Sequence, residues 1–308
     1  MNYLEKLKKI LAATSWTQEE LARQLQVSFP ALNAWINERS VPRQSALARI
    51  DELYLVVIGV DQVDPADLSY KKDQAMRAKL SARAVIKNAA LLEKLTILLT
   101  YHTNTIEGST MTMVDVEGVL FQNKVLGNRT AIEQAEARNH QAALNWLLDK
   151  IAESRTFVVS EEVIRGLHLR LMNGIVSDAG QYRKHSVRIM GAHVPLANWQ
   201  SIRSLLDEFV SFLQEDDSQD LIAKLAKSHA VFEQIHPFSD GNGRTGRLLI
   251  LAQALSAGSV PPIIVKERKR AYYKCLELAQ INHDYQPLEL FMADSILNSQ
   301  ELLMNPGV

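Results

Sequence analysis

The chain has 308 residues, 47% hydrophobic and 22% charged, with a formal net charge of −1, which suits a globular protein of one large or two modest domains. The charge balance excludes a whole-chain electrostatic case for nucleic acid or a membrane surface, and the single cysteine, Cys275, excludes an intrachain disulfide, as a reducing cytoplasm would favour. The opening "MNYLEKLKKILAATSW" has charges inside its apolar run and no cleavage pattern, and no stretch approaches the roughly 18–20 apolar residues that span a bilayer, so a cytoplasmic location without membrane contact is expected.

Helical periodicity dominates from the start. Leu4, Leu7, Ile10 and Leu11 share one face. Thr17 opens "TQEELARQL" with Glu20 three residues on, a capping-box pattern. Ser28 can cap the next helix, which turns Leu32, Trp35 and Ile36 inward. Four or five short helices thus fill residues 1–58, expected to form a small domain. Residues 59–84 loosen into a turn-prone and then basic stretch, read as a linker or short connecting helix with a solvated basic face. Longer helices follow: one near 82–101, one opened by the capping box at Thr130, one capped by Ser160 and one beginning near Asn198. A further helix carries Leu221, Leu225, Phe232 and Ile235 inward, and three more complete the chain. The exception is "HSVRIMGAHVPL", residues 185–196. There Val187 and Ile189 alternate, Gly191 breaks the run and Val194 resumes it, the pattern of a short β-hairpin. The expected class is all-α, with one hairpin.

The densest chemistry lies in "IHPFSDGNGRTGR", Ile235–Arg247. Gly241, Gly243 and Gly246 spell G-x-G-x-x-G, but the preceding segment has a helical pattern, so the strand that a dinucleotide fold requires is missing. No Walker pattern occurs either. Helix, loop, helix remains. Gly241 and Gly243 let successive N–H groups converge, and the helix that follows adds its positive end. Arg244 and Arg247 lie on one side of its first turn and suit a di- or triphosphate. Asp240 offers a hard oxygen for Mg²⁺ held jointly with phosphates. Asn242 can fix the loop or touch a phosphate. His236, neutral at physiological pH, can accept a proton from a nucleophile.

The stretch resembles the signature of the Fic family, H-P-F-x-[DE]-G-N-G-[RK]-x-x-R, and "HPFSDGNGRTGR" matches every fixed position. The likeness extends over roughly residues 85–300. It implies a Fic-type helical core with a hairpin flap, and transfer of AMP from ATP to a Ser, Thr or Tyr hydroxyl of a target protein. By the same resemblance His236 is the base and Asp240 binds Mg²⁺. Gly241, Asn242 and Gly243 hold the α- and β-phosphates with help from Arg244, and Arg247 holds the γ-phosphate. "RKRAYYKCLELAQ" resembles the segment beside the adenine pocket, which brings in Tyr272, Tyr273 and Gln280. "GQYRKHSVRIMGAHVPL" resembles the flap, where Val187, Arg188 and Ile189 would dock the target by strand pairing.

Upstream, "YHTNTIEGST" resembles the family's inhibitory motif, [ST]-x-x-x-E-[GN], through Thr103, Glu107 and Gly108. A carboxylate can pair with a guanidinium. Glu107 on Arg247 would deny that arginine to the γ-phosphate. Related enzymes also use this glutamate to remove AMP, which stands as a second reading.

"TQEELARQLQVSFPALNAWINERSVP" resembles the helix-turn-helix of Xre/Cro-like repressors. The resemblance implies a recognition helix with Ser28, Phe29, Asn33 and Asn37 facing outward, with Arg39 and Arg43 near phosphates. Met1–Tyr54 holds seven Lys and Arg against six Asp and Glu, so the positive field is small. DNA binding, protein targeting and dimerisation all remain open for this module. The leading expectation is a self-inhibited AMP transferase with a target protein, or itself, as acceptor. The rival is a DNA-binding regulator whose Fic domain senses nucleotide.

Overall fold

The computed structural model describes residues 2–59, 63–154, 156–189, 194–214 and 220–304. The first four helices are α1 (Tyr3–Thr14), α2 (Gln18–Gln24), α3 (Phe29–Ile36) and α4 (Gln44–Tyr54), the last continued by a π-helical turn, Leu55–Gly59. Local chemistry sets their starts. Asn2 with Glu5, and Thr17 with Glu20, form complete capping boxes, and Ser28 accepts the Ala31 N–H at the head of α3. Their inward faces close a separate core of Leu7, Ile10, Leu21, Leu25, Leu32, Trp35 and Ile50.

The stretch expected to link carries helix α5 (Pro65–Arg77), opened by an Asp64 cap with proline in its first turn. It lies along the last helix, α15 (Gln286–Met304). Lys71 pairs with Asp294 at 2.8 Å, and Lys72 pairs with both Glu289 and Asp220. Residues 78–80 then run beside 258–260, with Leu80 N–H on Gly258 O and Val260 N–H on Ala78 O, both at 3.0 Å. This is an isolated bridge, not a strand.

Next come α6 (Ala82–Lys87), α7 (Ala89–Ile106), α8 (Met113–Phe121) and α9 (Ala131–Glu153). The single helix expected over 82–101 is two, because the Asn88 side chain caps a new helix by accepting the Leu91 N–H at 3.1 Å. The Thr130–Glu133 capping box opens α9 as its sequence indicates. The remainder is α10 (Glu161–Leu171), α11 (Ile202–Gln214), α12 (Leu221–Ile235), α13 (Asn242–Ser256) and α14 (Lys269–Ile281). At the centre α12 packs along α13. Phe232, Phe238, Leu248 and Leu251 join Leu98, Leu144, Leu147 and Leu167 in one apolar core, and Ile222, Ile250, Tyr272 and Phe291 join a second with α5, α14 and α15.

The hairpin expectation needs correction. Among the described residues the protein has no β-strand: 185–189 and 194–196 are irregular and form no ladder, and the turn, 190–193, lies outside the described residues. A lone two-stranded ribbon is marginal without a third strand or a helix to pack on. The alternation survives in the side chains, with Val187 and Ile189 half-buried and Arg188 exposed. No helix is long and apolar enough to cross a membrane.

Asn88→Ala should remove the α7 cap and cost about 1 kcal/mol, read as a lower urea midpoint for unfolding. An unchanged midpoint would contradict the assignment.

Candidate active site

The central loop is built by backbone constraint. Pro237 disfavours helical geometry for the residue before it, and His236 takes a left-handed conformation (φ 49°) that ends α12. Its Nδ1 lies 3.1 Å from the Glu233 carbonyl. A carbonyl only accepts, so Nδ1 carries the proton and Nε2 keeps its lone pair. Burial lowers the imidazole pKa below its ordinary value, against smaller opposing effects, so the ring is neutral at pH 7.

Asn242 closes the loop on itself. Its Oδ1 accepts the Phe238 N–H and its Nδ2 donates to the Phe238 carbonyl, both at 2.9 Å. The Phe238 ring stacks on His168 with centroids 3.6 Å apart. His168 accepts the Gly180 N–H at Nδ1, so its Nε2 donates to the Asp240 carbonyl at 2.9 Å. The loop is thus fastened at Phe238 and at Asp240 before α13 begins at Asn242. Gly241, its N-cap, supplies no side-chain cap, so the first-turn N–H groups stay available to an anion. The Asp240 carboxylate is 61% exposed at this mouth, and Arg244 reaches it at 3.6 Å while binding Glu136 at 2.6 Å.

Arg247 sits one turn further along α13, buried. Its Nε donates to Thr103 Oγ at 2.6 Å and its Nη2 donates to the Glu107 carboxylate. Thr103 and Glu107 are four apart at the end of α7, so one helix face presents both. Gly108 ends that helix at φ 110°, a conformation that side chains resist. Burial works against the Arg247 charge, but Glu107, then Tyr272 and Tyr273, hold its pKa above the ordinary value. Burial likewise raises Glu107, and Arg247, Arg244 and Lys269 more than reverse it, leaving the carboxylate ionised. A Cβ on Gly243 would collide with Glu107 and approach Arg247 Nη1 to 3.0 Å, so the pair rests on bare glycine backbone.

The structure gathers His236, Asp240, Gly241, Asn242, Gly243, Arg244 and Arg247 on one loop and helix start, with Thr103, Glu107 and Gly108 against them. Tyr272 lies beneath this group, 1% exposed, bonded through its hydroxyl to His229 at 2.6 Å. Tyr273 is partly exposed beside it. Gln280 is turned away, its amide donating to the Ala230 carbonyl at 3.1 Å. Val187, Arg188 and Ile189 line a separate cleft of about 710 Å³ with Pro195, Leu196 and Trp199. In the N-terminal module Ser28, Phe29 and Asn37 are exposed and Asn33 is half-buried; Ser28 caps α3, Asn33 donates to Gln18 at 3.3 Å and Asn37 to the Asn33 carbonyl at 2.8 Å.

Several working residues carry no sequence pattern. Arg183 donates to the carbonyls of His236, His185 and Ala197 at 2.7–2.8 Å and so ties both ends of the flap to the loop. Its position in "GQYRKHS" before the flap is the only available hint. Glu233, 5% exposed, is pushed up to about 8 by burial, with Arg247 opposing and Glu107 assisting. Among the described residues no cluster of three or more His, Cys, Asp or Glu side chains could hold a metal by itself. A metal at Asp240 would need ligand oxygens from a bound phosphate, as Mg²⁺ accepts.

Fold and site define a helical protein whose central pair of helices is joined by a glycine-rich loop with a histidine at its edge. A model of the Fic/DOC family matches residues 158–254, and a helix-turn-helix model matches residues 7–56. The chain thus carries a region similar to the Fic/DOC family and, ahead of it, a region similar to helix-turn-helix domains. It is 28% identical over 270 residues to the protein adenylyltransferase Fic of Drosophila ananassae, covering 86% of this chain and 52% of that one. It is 27% identical over 262 residues to that of Aedes aegypti, covering 84% and 51%. The chain therefore spans about half the length of these curated relatives. Among solved structures, Fic-1 from C. elegans shares the fold, with a TM-score of 0.65, 21% identity and coverage of 95% of this chain and 88% of that chain. A Fic family protein from Desulfovibrio desulfuricans G20 matches with a TM-score of 0.61 at 23% identity, over 78% and 74%.

Burial sets one pH dependence. It lowers His102 and His168 to about 4, and His140 and His229 to about 3, from an ordinary 6.5. Above pH 6.5 these rings are neutral folded or unfolded. Below it the unfolded chain binds more protons, so stability should fall by up to ~1.4 kcal/mol per pH unit for each uncompensated histidine until about pH 4. Glu233 runs the other way between about pH 8 and its ordinary 4.5, so from pH 7.5 to 5.5 it offsets about two of the four. Urea midpoints lower at pH 5.5 than at pH 7.5 are the expected result; equal midpoints would contradict it.

Proposed function

We propose that the protein transfers AMP from ATP to a hydroxyl side chain of a target protein and is held inactive by Glu107. The contact between Glu107 and Arg247 carries the reading. It places a carboxylate on the cation best positioned for the terminal phosphate. The curated relatives named protein adenylyltransferase support the reaction class.

The geometry supports a set of roles. The first-turn N–H groups of α13, with Arg244, face the α- and β-phosphates. Arg247, once free, takes the γ-phosphate. Asp240 would hold Mg²⁺ together with phosphate oxygens, and the ion would offset negative charge at the triphosphate. The flap cleft at Val187–Ile189 brings the acceptor segment toward the loop. Nε2 of His236 takes the proton as the hydroxyl oxygen bonds to the α-phosphorus, and the bond to the β-phosphate bridge breaks to release pyrophosphate. With Glu107 in place the γ-phosphate has no arginine, so the α-phosphorus is not lined up.

A second reading shares the site. Glu107 is ionised, and its side chain is 32% exposed beside the phosphate cradle. That suits a base that orients water for removal of AMP from a modified target. For the N-terminal module, the helix-turn-helix match supports recognition of DNA or protein.

Glu107→Gly should raise labelling from ATP by about tenfold or more, the equivalent of about 1.4 kcal/mol, and adding His236→Ala should abolish the gain. Equal labelling by parent and Glu107→Gly would overturn the inhibitory role. For the second reading, release of AMP from a pre-modified target should vanish in Glu107→Gln.

A further inference from the structure

Two arginines of α13 adjoin the glycine-rich loop, and each is held by a carboxylate from another helix. Arg247 has Glu107 at the end of α7. Arg244, 4% exposed, donates from Nη1 to Glu136 on α9 at 2.6 Å. The two acids are mounted differently. Glu107 is the C-cap of α7, directly before Gly108 at φ 110°. Glu136 lies inside α9, and the residues just after it are fastened in two directions. Asn139 donates to the carbonyls of Leu171 and Asn173 at 3.1 and 2.8 Å, and His140 is bonded to Thr100 Oγ at 2.8 Å. A side chain on such a helix serves as a fixed strut, whereas one at a helix end, where helices fray, is free to swing.

A second carboxylate competes for Arg244. Asp240 Oδ1 lies 3.6 Å from Nη2, beyond hydrogen-bond distance. Asp240 is 61% exposed at the loop mouth, and its Oδ1 accepts the Gly241 N–H at 2.6 Å. Among the described residues, Glu136 and Asp240 are the carboxylates within 4.0 Å of Arg244. Arg244 Nε is buried with no hydrogen-bond partner among them. A buried guanidinium stripped of its anion is costly, and the nearest anion left to Arg244 would be Asp240. The two would then close on each other, and neither would stay open to a ligand.

We infer that Glu136 is a positioning residue of the nucleotide site: it holds Arg244 off Asp240, so that the arginine and the carboxylate stay separately available to a phosphate and to a cation. This rests on the nucleotide-binding reading given above. It also divides the two acid–arginine contacts by role. Glu107 occupies its arginine and blocks. Glu136 occupies one nitrogen of its arginine and leaves another for the ligand. Removing Glu136 therefore weakens the site instead of releasing it.

The test uses the full chain carrying Glu107→Gly, with ATP as the probe in calorimetry, once with Mg²⁺ and once with EDTA. Adding Glu136→Ala should weaken ATP binding in Mg²⁺ by about tenfold and remove most of the gain that Mg²⁺ gives. Glu136→Gln, which can still accept the Nη1 N–H, should stay within about threefold of the Glu107→Gly chain. Asp240→Asn alone should also weaken binding in Mg²⁺. Added to Glu136→Ala it should cost little more, because one closed pair accounts for both losses. Thr130→Ala removes the cap of the same helix without touching Arg244, and it should leave ATP affinity unchanged. Should Glu136→Ala not fold, Glu136→Asp, which keeps the charge but shortens the reach, takes its place with an expected loss of about threefold or more. Unchanged or tighter ATP binding without Glu136, no rescue by Glu136→Gln, an equal loss in Thr130→Ala, or fully additive losses with Asp240→Asn would each overturn the inference. Failure of Glu107→Gly to bind any ATP would overturn the nucleotide reading itself, and this inference with it.

Discussion

A buried guanidinium needs an anion, and this structure is organised around that need. Arg247 lies inside α13 where water cannot solvate it, and the Glu107 carboxylate supplies the compensating charge. Removing one partner from such a pair leaves a buried charge uncompensated, which costs more than the pair itself contributes. The cation therefore has two stable partners in the reading proposed here: the carboxylate on α7 or a phosphate of the nucleotide. Local details serve this exchange. Gly108 ends α7 where Glu107 must turn inward, Thr103 fixes the guanidinium plane through Nε, and Gly243 leaves room for the carboxylate against the loop.

How much of this is legible in the sequence depends on chain distance and on the kind of partner. The loop is legible as a cluster because its groups fall within twelve residues, and the structure gathers them on one loop and helix start. The helix starts at Thr17, Ser28, Thr130 and Ser160 read well because a cap is a local contract. The partnership of Glu107 with Arg247, 140 residues apart, has no local trace and came from family resemblance alone. The contacts of Arg183 and His168 are not legible for a different reason. Their partners are backbone carbonyls and N–H groups, which every residue has, so no pairing of residue types marks the contact.

Two errors of reading have physical causes. The break at Asn88 was hidden because apolar periodicity continues across it, and only the capping chemistry of Asn88 separates α6 from α7. The flap alternates as a strand would, yet alternation reports which side chains face inward, not whether a ladder forms. Here Arg183 orders the flap from its ends, and no third strand supports pairing between the arms.

The proposed base is positioned independently of the proposed switch, although the Glu107 charge acts on its ring. His236 takes its position from Pro237 and its tautomer from the Glu233 carbonyl, and neither involves Glu107. Arg183 holds the His236 carbonyl on the other side, again through backbone. The same histidine, with the same free Nε2, is therefore present whether Arg247 faces the carboxylate or a phosphate. On the proposed reading, control would act on the pose of the nucleotide rather than on the position of the proton acceptor, and a single distant glutamate would suffice because it has only to occupy one cation while the rest of the loop stays assembled.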